Sequence, residues 1–114
     1  MKKLALLVLL LPGCSLLDTS FYDDNESMLA VNIRYEVARL DCSSPKTSEI
    51  KGSVNKLYFY SESKKSRDVH ALAGIMKETA DPLQDTMSTT FCTIKKPLLE
   101  KQSKDVANAV MRRY

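Results

Sequence analysis

The chain has 114 residues, 27% of them charged and 44% hydrophobic, which suits one globular domain and excludes a disordered or low-complexity chain. Three glycines, four prolines and no tryptophan argue against a turn-rich all-β fold and favour helices. Of the 17 basic residues two, Lys2 and Lys3, lie at the amino terminus. From residue 14 onward 15 basic residues therefore face 14 acidic ones, too small an excess for a nucleic-acid binder.

Residues 1–13 open with Met1-Lys2-Lys3, continue with the apolar run Leu4–Leu11 and end on Pro12-Gly13. A basic start followed by a short apolar run has the form of a secretory signal peptide. Eight apolar residues fall well short of the roughly 20 that a spanning helix needs. Leu11-Pro12-Gly13-Cys14 resembles the lipobox of bacterial lipoproteins, with Leu11 and Gly13 matching that family's preferences and Pro12 unusual at its place. The resemblance implies a diacylglycerol on the Cys14 thiol and cleavage just before Cys14. It also implies, from Ser15 in place of Asp, sorting to the outer membrane, facing the periplasm. The expected organisation is a signal peptide over 1–13, a lipid-anchored tether over 14–20 and a helical periplasmic domain over 21–114.

Asp23-Asp24-Asn25-Glu26 begins the first predicted helix, about residues 24–41. Leu29, Ile33, Val37 and Leu40 recur on one face, and the acids suit the positive end of the helix dipole. Ser43-Ser44-Pro45 reads as a stop and restart, with Ser44 as cap and Pro45 at the first position of the next helix. Ile50, Val54, Leu57 and Ser61 continue at helical spacing despite Gly52, although Leu57-Tyr58-Phe59-Tyr60 alone also suits a short strand. After the polar joint Ser63–Ser66, an apolar stripe runs through Val69, Leu72, Ala73, Met76, Ala80, Leu83 and Met87. Pro82 either kinks this helix or follows Asp81 as the start of a new one. Met87–Thr90 reads as a loop. The last helix carries Ile94, Leu98, Leu99, Val106, Ala109 and Val110, with Pro97 in its first turn and Arg112 and Arg113 at its negative end.

With Cys14 reserved for lipid, Cys42 and Cys92 remain as a pair in an oxidising compartment. A disulfide is the simplest account of them. A metal pair or a reactive thiol is disfavoured by the single histidine and the lack of a Cys-x-x-Cys motif. The predicted fold is all-α, a small four-helix bundle stapled by one Cys42–Cys92 disulfide.

Candidate chemistry is sparse. His70 has Arg67, Gly74 and Lys77 one helical turn away, with no orienting acid among them, so an exposed or half-buried helical residue is expected and not a catalytic or ligating one. Asp23, Asp24 and Glu26 fit no calcium loop and are read as helix-capping acids. No cofactor and no metal site is expected beyond the covalent lipid. Lys95-Lys96 near the start of the last helix is read as a solvated pair, with an acidic partner or lipid headgroups as the alternative. Leu57–Tyr60 is the most informative run, because four consecutive helical residues sweep around the axis and cannot share one core stripe. Tyr58, Phe59 and Tyr60 are therefore the candidate partner surface, with Phe59 the expected exposed residue.

These observations point to a non-enzymatic, membrane-anchored module that binds an unidentified envelope protein. The layout of helix, cysteine, about fifty residues, cysteine and final helix is similar to secretion-system pilotins. Tyr22–Ser27, Leu40-Asp41-Cys42, Tyr60-Ser61-Glu62-Ser63 and the closing basic helix look like small phage-encoded helical lipoproteins. That second resemblance implies an alternative role in host lysis or in exclusion of rival phages. A small-ligand carrier or enzyme is the remaining class.

Overall fold

The computed structural model describes residues 23–112, which hold four α-helices and no strand. They are α1 (Asp24–Ala38), α2 (Ser48–Lys64), α3 (Arg67–Ala80) and α4 (Thr89–Met111). The leader, Cys14 and the tether lie outside the described residues. Each helix packs on two neighbours, in the cycle α1–α2–α3–α4–α1, and the diagonal pairs do not meet. Cross-links show that neighbours run antiparallel. Tyr60 near the end of α2 reaches Asp23 at the start of α1, and Asn55 in α2 reaches Asp81 past the end of α3. The result is an up-down-up-down bundle, stapled by the Cys42–Cys92 disulfide with its Cα atoms 5.5 Å apart.

The core comes from the apolar stripes. Ile33 and Val37 of α1, Ile50, Val54 and Leu57 of α2, Val69, Ala73 and Met76 of α3, and Leu99, Val106 and Val110 of α4 are all buried. Ser61 extends the α2 stripe and is buried as well. Leu57–Tyr60 is helical, which settles the choice between helix and strand. Ile94 and Leu98, by contrast, lie on the exposed side of α4.

Three boundaries differ from the local signals. Pro45 starts no helix; α2 begins at Ser48, with Thr47 as its N-cap residue. The capping acceptor is supplied from another loop. Asp85 Oδ1 accepts from the Thr47 amide at 2.8 Å and from its hydroxyl at 2.9 Å. The N-cap amide is the donor that the acid of a capping box takes, so Asp85 fills that role from a distant loop. These bonds from the Thr47 amide and hydroxyl hold the Asp85 carboxyl below its ordinary value. Pro82 neither kinks a helix nor starts one, because α3 stops at Ala80 and the chain loops through to Ser88. Leu83 is nevertheless fully buried, and its carbonyl accepts from Lys51 Nζ at 2.7 Å. α4 starts at Thr89, where the Ser88 hydroxyl accepts from the Phe91 amide at 3.1 Å. Pro97 thus lies inside α4 rather than in its first turn. It sits on the exposed side, where water can reach the carbonyl that lacks a helical partner.

The end of the bundle bearing these loops is its covalently closed end. Lys96 Nζ donates to the Leu40 carbonyl at 2.7 Å, beside the disulfide that joins the α1–α2 loop to α4. Closing 50 residues of chain removes entropy from the unfolded state worth about 4 kcal/mol in the chain-entropy model. Replacing Cys42 and Cys92 together by Ser is expected to lower unfolding stability by about that amount. Denaturant titration of the oxidised protein and the double variant reads it, and equal midpoints would contradict it.

Candidate interaction surface

Successive residues of an α-helix point about 100° apart. At Leu57–Tyr60 that step sends four large side chains in four directions. Leu57 enters the core and is fully buried. Tyr58 lies in the seam with α3, its ring stacked on His70 at 4.3 Å between centroids. Phe59 faces outward and is 63% exposed, with its ring edge-on to Tyr58. Tyr60 lies in the seam with α1, where its hydroxyl donates to Asp23 Oδ2 at 2.8 Å. Both tyrosines are half-buried and hold helices together; Phe59 touches neither seam partner in this way.

The α2–α3 seam depends on a glycine. A Cβ at Gly74 would stand 3.3 Å from Tyr58 Cε1, so the bare backbone of α3 is what admits the ring. His70 Nδ1 lies 3.1 Å from the Tyr58 carbonyl and 3.3 Å from Ser61 Oγ. A serine beside a histidine invites a catalytic reading, but Ser61 is fully buried and its hydroxyl donates to that same carbonyl at 3.0 Å. No substrate reaches this oxygen, so the pair serves to pin α3 against α2.

The α1–α2 seam is ionic. Asp23 caps α1, its carboxylate accepting from the Asn25 and Glu26 amides at 2.7 and 3.2 Å. Lys64 Nζ lies 3.8 Å from Asp23 and 3.6 Å from Glu26, and Glu26 is fully buried. Burial alone would raise the Asp23 carboxyl; the Tyr60 hydroxyl, the two amides and Lys64 outweigh it and hold the group below its ordinary value. Burial and the bond to Asp23 in turn raise the Tyr60 phenol. Asp23 is thus a cap and a seam residue, and Glu26 an ion-pair partner. Among the described residues no three His, Cys, Asp or Glu side chains are placed to hold a metal ion. Lys95 and Lys96 are not simply solvated: Lys95 lies over the Phe91 ring and Lys96 holds the end of α1.

Between α1 and α2, beside the ionic seam, runs an open groove of about 620 Å³ with Leu29 on one side and Gly52, Asn55, Lys56, Phe59, Tyr60 and Ser63 on the other. Of the candidate residues in the sequence, Phe59 and Tyr60 line this groove and Tyr58 does not, while Gly52 and Lys56 are not among the candidates. Gly52, Lys56 and Phe59 follow one another at steps of four and three, the spacing of one helical stripe, and that is the signal that could have found them. No helix among the described residues is long and apolar enough to cross a membrane. No protein-family model, no curated protein and no solved structure matches the chain.

The two helical glycines have opposite surroundings, and their alanine variants should separate. A Cβ at Gly52 would meet nothing within 4 Å, so Gly52→Ala should stabilise the protein by about 0.5–1 kcal/mol through helix propensity alone. Gly74→Ala should lose that gain, or reverse it, by pushing on Tyr58. Thermal melts of both variants test the pair, and a larger gain at Gly74 than at Gly52 would contradict the seam geometry.

Proposed function

We propose that this chain is a membrane-anchored lipoprotein of the cell envelope whose helical bundle is a non-enzymatic binding module. Cys14 carries the lipid, Ser15 directs the protein to the outer membrane, and the bundle faces the periplasm. The observation that carries the binding part is Phe59, a large apolar side chain 63% exposed at the edge of an apolar groove while its neighbours in sequence are engaged within the fold. Aromatic residues presented this way are typical anchors of protein interfaces. The Cys42–Cys92 disulfide supports an oxidising compartment and so fits the export reading.

Tethering has a physical consequence. A module held at the membrane by lipid meets a partner in the same membrane as if at high concentration, so a modest surface suffices for capture. One acyl chain binds a bilayer only marginally, whereas two or more hold it firmly at about 0.8 kcal/mol per buried methylene. The anchor is therefore as much a part of the function as the groove.

Cells expressing the wild-type chain and the Cys14→Ser variant, fed a clickable palmitate analogue, test the anchor. The wild type should be labelled and sediment with outer membranes, and the variant should be unlabelled and soluble in the periplasm. Label retained by Cys14→Ser would place the lipid elsewhere and remove the basis of this reading.

A further inference from the structure

Gly52 sits in the middle of α2 and costs that helix about 1 kcal/mol relative to alanine. Gly74 has a packing reason to be glycine; Gly52 has none among the described residues, because a Cβ there meets none of their atoms within 4 Å. It leaves a stretch of bare backbone facing the α1–α2 groove. Four and seven residues on, Lys56 and Phe59 line the same groove, opposite Leu29. Lys56 is the only ionised side chain lining it and makes no ion pair among the described residues.

These features together describe the imprint of a helix. A gap at glycine lets a second backbone approach more closely than the usual 8–10 Å between helix axes. Phe59 and Leu29 offer apolar contacts to residues spaced i, i+3 or i+4, and i+7 on an incoming amphipathic helix. Lys56, exposed beside Leu29 and Phe59 and without an ion pair among the described residues, adds a positive charge that an incoming carboxylate would complement. A second copy of the groove brings only another Lys56 and no acid, so charge disfavours groove-to-groove self-pairing. Resting on the binding-module reading above, we propose that the α1–α2 groove receives an amphipathic helix of a partner protein. That helix packs its backbone near Gly52 and its apolar face on Leu29 and Phe59, and it presents an Asp or Glu to Lys56.

The test uses the purified full-length protein, disulfide intact, in detergent. A displayed library of helical peptides about 18 residues long, with apolar stripe and flanking positions randomised, is selected on the wild type and counter-selected on Phe59→Ser. Selected peptides should carry an apolar stripe and a flanking Asp or Glu. Phe59→Ser and Gly52→Leu should each weaken their binding about tenfold or more, Phe59→Ser with thermal stability nearly unchanged and Gly52→Leu with it raised by the gain in helix propensity. Lys56→Glu should reverse the preference to a flanking Lys or Arg. Peptides that bind all three variants as well as wild type, or that show no charge preference, would overturn the proposal. So would Phe59-dependent dimerisation in sedimentation, which gives the groove to a second copy, or Phe59-dependent flotation with phosphatidylglycerol vesicles, which gives it to lipid. Should the library yield no binder while a photoreactive residue at position 59 still cross-links an envelope protein in cells, the helical occupant is refuted and the binding-module reading stands. If both fail, that reading falls too.

Discussion

The 100° step between neighbouring helical residues is the constraint on which this bundle turns. α2 packs on α1 and α3. Around position 58 its side chains have four directions open to them: the core, either seam and solvent. Leu57, Tyr58, Phe59 and Tyr60 take one each. The tyrosines fix α2 against both neighbours through different chemistry, a stack on His70 over Gly74 on one side and a hydroxyl on the Asp23 cap on the other. With the seams filled, the remaining side chain has only solvent to face. Phe59 is exposed because its neighbours are needed where they are, and the fold therefore presents an aromatic residue on a rigid helix without distorting anything around it.

The two ends of the bundle are held differently. Where the α1–α2 and α3–α4 loops meet, the fold uses a covalent bond and long-range caps: the disulfide, Asp85 on Thr47, Lys51 on the Leu83 carbonyl and Lys96 on the Leu40 carbonyl. At the other end, where the chain enters from its amino-terminal side, a buried Glu26 shares Lys64 with Asp23. Replacing such a pair by apolar residues is often neutral or stabilising, whereas removing one partner alone is costly. The pair ties the start of α1 to the end of α2, beside the groove where Leu29 stands opposite Gly52 and Phe59.

Much of this architecture is legible in the sequence. The stripes Ile33–Val37–Leu40 and Ile50–Val54–Leu57–Ser61 announce two helices and their buried faces, and the cysteine count pairs Cys42 with Cys92. What was not legible depends on residues far apart in the chain. Ser44-Pro45 is a sound local start signal, yet the cap of α2 comes from Asp85, 38 residues beyond Thr47. Leu83 keeps the helical period of α3 but is buried from a loop, because burial of a leucine does not require a helix. Gly52 and Gly74 look alike in sequence; only the position of Tyr58 gives one a packing role and leaves the other facing open space. Within the candidate surface, the angular step exposes Phe59 at once, whereas Leu29 joins it only after α1 and α2 are set in register.

The division of side chains along α2 is tested most directly by equilibrium denaturation of Leu57→Ala and Phe59→Ala side by side. The two positions are two residues apart on one helix, so differences in helix propensity between the variants are small. The expected outcome is a loss of about 2–5 kcal/mol for Leu57→Ala and a change within about 0.5 kcal/mol for Phe59→Ala. A loss of several kcal/mol at Phe59 would place that ring in the core, and the division of four side chains among four directions would be wrong.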